Sequence, residues 1–297
     1  MKKFTSILFS FLAVSVFAQT QVDTPTNIGA GEEATSSAQW IVSDNIDISG
    51  KLTFDSSNTQ YAIIVSDGKM TIKDGGIVNL NSGWGATNTN IFRMGGWNTP
   101  KGDLTIEEGG LLITDKVTIT GKNSSLVLYS PDAIDTSTTR YVAPSIYFYD
   151  TASLSMLGKG DYNFVFNAAT NKVVTLNFSK DANFNVLDWD SANSFALNVV
   201  DFDETNSIFI ASTYKTNLYT VEIGKSGDSD ALLFYNGEIL AKTITVTGVD
   251  LSEFSLELSS IDGKNGYVLA MAVPEPAEWA IIFGGIALAL AVYRRRK

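Results

Sequence analysis

A chain of 297 residues with 44% hydrophobic and 18% charged side chains is long enough for one or two domains with a real core and too apolar to stay disordered. It contains no cysteine and no histidine. That excludes disulfide frameworks, thiol nucleophiles, Cys-ligated zinc or iron–sulfur sites, Ser-His-Asp machinery and HExxH zinc sites.

Residues 1–18 predict a secretory signal peptide. Lys2 and Lys3 form the positive start, residues 4–17 are mostly apolar, and Val16 and Ala18 stand at the −3 and −1 positions of a cleavage site before Gln19. The expected partners are the secretion machinery and a signal peptidase. The alternative is an uncleaved N-terminal anchor helix.

Residues 19–273 form the exported body. The two ends hold six of the 21 basic and two of the 32 acidic residues, so the body carries 15 basic and 30 acidic side chains, a net charge of −15. Such a surface repels nucleic acid and favours solubility. Its pattern predicts an all-β fold: Ile46-Asp47-Ile48, Leu126-Val127-Leu128-Tyr129 and Val173-Val174-Thr175-Leu176 are short and rich in β-branched or aromatic residues, with Gly, Asn, Asp and Ser between such runs.

A weak repeat runs through the body, repeat-like over residues 45–130 and looser over 140–270. Met70-Thr71-Ile72-Lys73-Asp74-Gly75-Gly76-Ile77-Val78 aligns without gaps on Leu104-Thr105-Ile106-Glu107-Glu108-Gly109-Gly110-Leu111-Leu112. Gly50-Lys51-Leu52-Thr53-Phe54 and Lys116-Val117-Thr118-Ile119-Thr120-Gly121 are shorter echoes, and Lys242-Thr243-Ile244-Thr245-Val246-Thr247-Gly248 is a fainter one. The unit is a strand, a glycine turn and a second strand, too small to bury its apolar face alone, so neighbouring copies must stack. This grammar resembles the strand repeats of autotransporter passengers. The resemblance implies a right-handed parallel β-helix or similar solenoid; a β-sandwich in the second half is the alternative. Residues 81–101 are then expected to form one long loop between turns of the solenoid.

That glycine-rich stretch supplies the candidate binding residues. Gly83-Trp84-Gly85 and Gly95-Gly96-Trp97-Asn98 set two indoles in a loop, where Trp84 and Trp97 can stack on sugar rings and Asn98 can hydrogen-bond beside them. The alternative is that both rings fold back over an open end of the core. Catalytic constellations are not recognisable: no nucleophile elbow or P-loop occurs, and Glu107-Glu108 at a strand-to-turn junction would point to opposite sides. Asp201-Phe202-Asp203-Glu204 and Asp228-Ser229-Asp230 are dense in oxygen ligands but lack a calcium-loop spacing, and turn capping accounts for them. Thr118 and Thr120, with Thr243 to Thr247, are scattered and do not make a regular threonine array. No enzyme activity, metal or cofactor is expected. The alternative from another class is a polysaccharide-active β-helix enzyme, a lyase or hydrolase.

The C-terminus reads Val273-Pro274-Glu275-Pro276, then residues 277–293 with Glu278 as the one charge, then Arg294-Arg295-Arg296-Lys297. The prolines mark where a helix can begin. Seventeen residues at about 1.5 Å each reach about 25 Å, near the short limit for a transmembrane helix, and the basic end would stay cytoplasmic. The segment 274–297 resembles the PEP-CTERM sorting signal of Gram-negative bacteria, also catalogued under the label ice-binding protein C-terminal domain. The resemblance implies an exosortase as partner, transient or stable residence in the inner membrane, and delivery to the cell surface or the exopolysaccharide matrix after processing. An ordinary tail anchor is the alternative.

Overall fold

The computed structural model describes residues 20–54, 61–80, 91–95, 101–114, 116–136, 143–189, 194–214 and 217–272. Among these the regular elements are strands and two single 3-10 turns, Pro131–Ala133 and Leu251–Glu253. The described part of the protein is all-β. A six-stranded sheet and two ten-stranded sheets hold nearly all the strands, with one two-stranded ribbon beside them.

The six-stranded sheet is here the first sheet, the one containing Lys69–Ile72 the second, and the one containing Lys116–Ile119 the third. The chain visits them in a fixed order. Glu33–Ser36 lies in the first sheet, Trp40–Val42 in the third and Asn45–Ile48 in the second. Lys51–Phe54, Tyr61–Val65 and Lys69–Ile72 repeat that order, as do Ile77–Asn79, Ile91–Met94 and Asp103–Ile106, and then Leu111–Ile113, Lys116–Ile119 and Ser124–Leu128. Every strand of one circuit pairs in parallel with its counterpart in the next. The first sheet ends with Ile134–Asp135. Later circuits use two longer strands each, Gly160–Ala168 with Val173–Phe178 and Ala182–Asp188 with Phe195–Val200. Parallel pairing thus continues into the second half through Ser207–Ala211 and on to Ile239–Thr247, which pairs in parallel with Phe195–Val200. Antiparallel pairing enters with the ribbon Thr213–Tyr214/Asn217–Leu218 and with the closing hairpins: Thr220–Ser226, Ser229–Asn236 and Ile239–Thr247 extend the second sheet, and Phe254–Ile261 with Lys264–Met271 extends the third.

Alternation along each strand explains the core. In-pointing residues fall on one another in register: Ile46, Met70, Leu104, Leu126, Leu154 and Leu176 form one column of the second sheet, and each of the last five is completely buried. Trp40, Ile63, Phe92, Val117 and Ile146 form a column of the third. Each buried aliphatic side chain is worth about 1.5–3 kcal/mol, so stacking rather than any single strand supplies the stability. Where the first sheet stops, rings take over the filling: Phe166 lies 5.4 Å from Phe148, 5.3 Å from Phe184 and 5.5 Å from Phe195. On the outside, amide ladders repeat the register. Asn177 donates to Ser155 at 2.9 Å, Asn185 to Asn163 at 2.8 Å and Asn183 to Asp161 at 2.8 Å, each across 22 residues.

The aligned repeat of the sequence is a real structural equivalence, since Met70 faces Leu104, Ile72 faces Ile106 and Val78 faces Leu112. Its paired glycines have separate causes. Gly75 and Gly109 take φ of +72° and +79° in the turn, a region costly for residues with a β-carbon. Gly76 has an ordinary φ, but a β-carbon there would lie 2.1 Å from the carbonyl oxygen of Ile48 on the preceding circuit. Gly75→Ala is therefore expected to cost about 1 kcal/mol, and Gly76→Ala about 2–3 kcal/mol because backbone must shift; urea unfolding of the two variants checks the order.

Two expectations need correction. Leu52 and Val117 are not counterparts of Met70, because they lie in the first and third sheets; the mate of Met70 is Ile46. Residues 81–101 are not one loop. Ile91–Met94 is a fully paired strand of the third sheet within that stretch.

Candidate functional site

The cleavage residues Ala18 and Gln19, the indoles Trp84 and Trp97 with Asn98, and the whole tail from Val273 to Lys297 lie outside the described residues. In sequence, Trp84 and Trp97 fall on either side of the strand Ile91–Met94.

The outer surface of that sheet carries the most elaborate side-chain cluster. Val117 and Ile119 point into the core, so Thr118 between them points out, and register sets it beside Arg93 on one side and Tyr147 on the other. Arg93 is 7% exposed. Its Nε donates to the Gly95 carbonyl and to Thr120 Oγ1, both at 3.1 Å, and its guanidinium lies 5.0 Å from the centre of the Tyr61 ring. Burial pulls the Arg93 pKa down from its usual value, while Tyr61 opposes the shift. Lys116 sets its Nζ 3.5 Å from the centre of the Tyr147 ring, and Tyr147 stacks on Tyr149 at 6.2 Å and 22°. Tyr149 is 38% exposed. Cations held over aromatic faces gain roughly 0.5–2 kcal/mol each. Sequence reading noticed Thr118 and Thr120 as an isolated threonine pair. It missed their setting, because Arg93, Thr118 and Tyr147 meet only through strand register.

Carboxylates are distributed differently. Lys73 donates to Glu107 at 2.9 Å and lies 3.8 Å from Asp47, a charge ladder over three circuits that, led by the Glu107 bond, raises the Lys73 pKa. Glu108, its sequence neighbour, stands in the exposed turn. Asp203 accepts from the Thr205 backbone and hydroxyl, and the amide of Asn206 donates to the carbonyls of Ser179 and Ala182. Asp230 pairs with Lys225 and accepts from the Leu251 backbone. These are turn and strand fastenings, and among the described residues no group of three or more acidic side chains is arranged to hold a metal ion.

One cation lies inside. Lys242, on the hairpin strand Ile239–Thr247, is 4% exposed. Its Nζ sits 3.9 Å from the centre of the Trp189 ring and 5.0 Å from that of Phe195. Trp189 packs on Phe234 at 4.8 Å and anchors its indole N–H on the Ala211 carbonyl at 3.1 Å. Beside it an apolar cavity is lined by Phe166, Phe184, Val186, Ile210 and Ile244 among others. Burial drives the Lys242 pKa down to about 7.

Neither a scan against protein-family models nor a search of curated proteins finds a match for this chain. Among the described residues no helix is long and apolar enough to cross a membrane.

Proposed function

We propose that this chain is an exported cell-surface or matrix protein, sorted by an exosortase through its C-terminal tail, with a non-enzymatic structural or adhesive body that binds glycan. The observation that carries the sorting reading is the order of three features at one end: Pro274-Glu275-Pro276, an apolar segment of spanning length, and Arg294-Arg295-Arg296-Lys297. The signal peptide at the other end demands the same topology, with residues 19–273 outside the inner membrane.

For the body we propose a right-handed parallel β-helix closed at its C-terminal end by antiparallel hairpins. The ordered visiting of three sheets and the unbroken parallel register from Asn45–Ile48 to Phe195–Val200 support it. A rigid stack with long polar outer faces suits a structural or adhesive element. The ion pairs of Glu107, Asp103, Asp150 and Asp230 with lysines support a structural use of those carboxylates over a catalytic one.

Deleting the exosortase of the native host tests the sorting reading. The expected result is a protein that accumulates in the inner membrane and is lost from the surface and medium. Unchanged distribution between fractions would overturn it.

A further inference from the structure

We propose that two copies of the chain associate through the outer edge of the strand Phe254–Ile261, antiparallel about a two-fold axis at Leu256. The hairpins that end the body leave this strand outermost in the third sheet and Thr220–Ser226 outermost in the second. Among the described residues no strand pairs with the outer side of either. The other end of the second sheet is treated differently: Ile28 bridges to Ile48, and the Asn27 side chain accepts from the Asp47 backbone at 2.8 Å, which covers the edge of Asn45–Ile48. An open edge is a template for a further strand, and natural edges are blunted by proline, lysine or a bulge. Phe254–Ile261 has none of the three. It reads Phe-Ser-Leu-Glu-Leu-Ser-Ser-Ile and pairs with Lys264–Met271 without a shift of register. Thr220–Ser226, by contrast, carries Glu222 and Lys225.

Register decides how a second copy can sit. The Ala272 N–H donates to the Glu253 carbonyl at 2.8 Å, one step beyond the Phe254–Met271 pair. Antiparallel bonding alternates, so Ser255 and Glu257 also bond into the hairpin, and the backbone groups of Phe254, Leu256 and Leu258 point to the open side. A two-fold axis at Leu256 sets that residue on its own copy and Phe254 on Leu258 of the second copy, and all three positions offer outward backbone groups. Their side chains share the face that packs on the core. Phe254 and Leu256 are held there, whereas Leu258 is 77% exposed. Pairing would cover that leucine with the phenylalanine ring and set Glu257 opposite Ser255, so that no like charges meet. The paired stretch ends at Leu258, because the hairpin tip beyond it turns onto the sheet: Ile261 packs with Leu187 and Phe209, and Asp262 accepts from Asn163 at 3.4 Å. The contact is isologous and closes at two copies. The body's net charge of −15, from 15 basic and 30 acidic residues, opposes it, and salt relieves that repulsion.

The experiment measures the mass of the full chain in mild detergent by sedimentation equilibrium over a range of protein and salt concentrations. Wild type is compared with Leu258→Lys and Leu258→Met, with thermal unfolding as the folding control. The proposal expects a dimer that tightens as salt rises. Leu258→Lys should weaken it about tenfold or more with unchanged unfolding, and Leu258→Met should keep most of the affinity. The chain has no cysteine of its own, so mild oxidation should link two copies of Leu256→Cys through the axis and leave Ser259→Cys, which lies off it, unlinked. A monomer at every concentration would overturn the proposal. So would a dimer that Leu258→Lys leaves intact, which would place the contact elsewhere, as in the apolar run 277–293. Equal linking of the two cysteine variants would overturn the register.

Discussion

Phe184→Ala is expected to lower the stability of the body by about 3–5 kcal/mol, the range for truncating a large buried aromatic. Phe184 is completely buried on Ala182–Asp188. Its ring meets Phe166 edge-on at 5.3 Å and Phe164 at 6.1 Å, in the region where the first sheet has ended and rings fill the space between the other two. An alanine there would merge its void with the apolar cavity that Phe184 already lines. Backbone on both sides is pinned by parallel pairing to Gly160–Ala168 and Ser207–Ala211, so collapse into the void is limited and the cost should fall toward the upper end. Guanidinium unfolding checks this: the midpoint should drop with little change in slope. A loss below about 1 kcal/mol would show that the two-sheet region is loosely packed.

Lys242→Met is expected to act in the opposite direction. The lysine buries its ammonium against the Trp189 and Phe195 rings, and its pKa falls from 10.5 to about 7 in the folded protein. The unfolded chain therefore binds a proton between pH 7 and 10.5 that the folded chain does not. Wild-type stability falls as pH drops through that window and levels off below pH 7. Each pKa unit is worth about 1.4 kcal/mol, and contact with the indole returns roughly 2 kcal/mol to the charged form. The methionine variant should gain roughly 2–3 kcal/mol at pH 6, the scale seen when buried charged groups are replaced by apolar ones, and its advantage should shrink toward pH 10.5. Unfolding midpoints of both proteins at pH 6, 8 and 10 check the sign. Equal slopes with pH in the two proteins would contradict the burial argument.

The all-β fold and the best-formed repeat were legible in the sequence for a physical reason. Met70 to Val78 and Leu104 to Leu112 both run from the second sheet through a glycine turn into the first, so like positions carry like constraints, and the structure pairs them one on one. The remaining circuits were hidden because turns of unequal length separate equivalent strands. Leu104 to Leu126 spans 22 residues, Leu126 to Leu154 spans 28 and Met70 to Leu104 spans 34, so a search by spacing mixes sheets and matches Leu52 to the wrong partner. Ile91–Met94 was concealed by its surroundings: four residues with an arginine at the out-pointing position, set in glycine, asparagine and tryptophan. The closing hairpins did leave turn signatures, Asn236-Gly237 and Asp262-Gly263, the glycines at φ of +63° and +73° and Asp262 at +48°. Their attachment to the stack, parallel for Ile239–Thr247 on Phe195–Val200 and antiparallel for Lys264–Met271 on Ser207–Ala211, had no local signal.

The side-chain cluster on the third sheet was not legible at all. Arg93, Thr118 and Tyr147 come from three circuits, and only the register of Lys116–Ile119 with its two neighbours makes them adjacent. Aromatic and basic residues are common in strands, so none of the three stands out alone. The tail shows the contrary case. The residues that carry the sorting proposal, Pro274-Glu275-Pro276, the apolar run 277–293 and Arg294 to Lys297, are contiguous in the sequence, so no strand register is needed to see them.

The most direct test of the account is the mass of the C-terminal peptide of the protein recovered from fractions of its native host. The account predicts a surface or extracellular product that begins at Gln19 and ends near Pro274-Glu275-Pro276, with Arg294 to Lys297 gone. An intact Arg294-Arg295-Arg296-Lys297 end found only in the inner membrane would contradict it and leave a tail-anchored periplasmic β-protein.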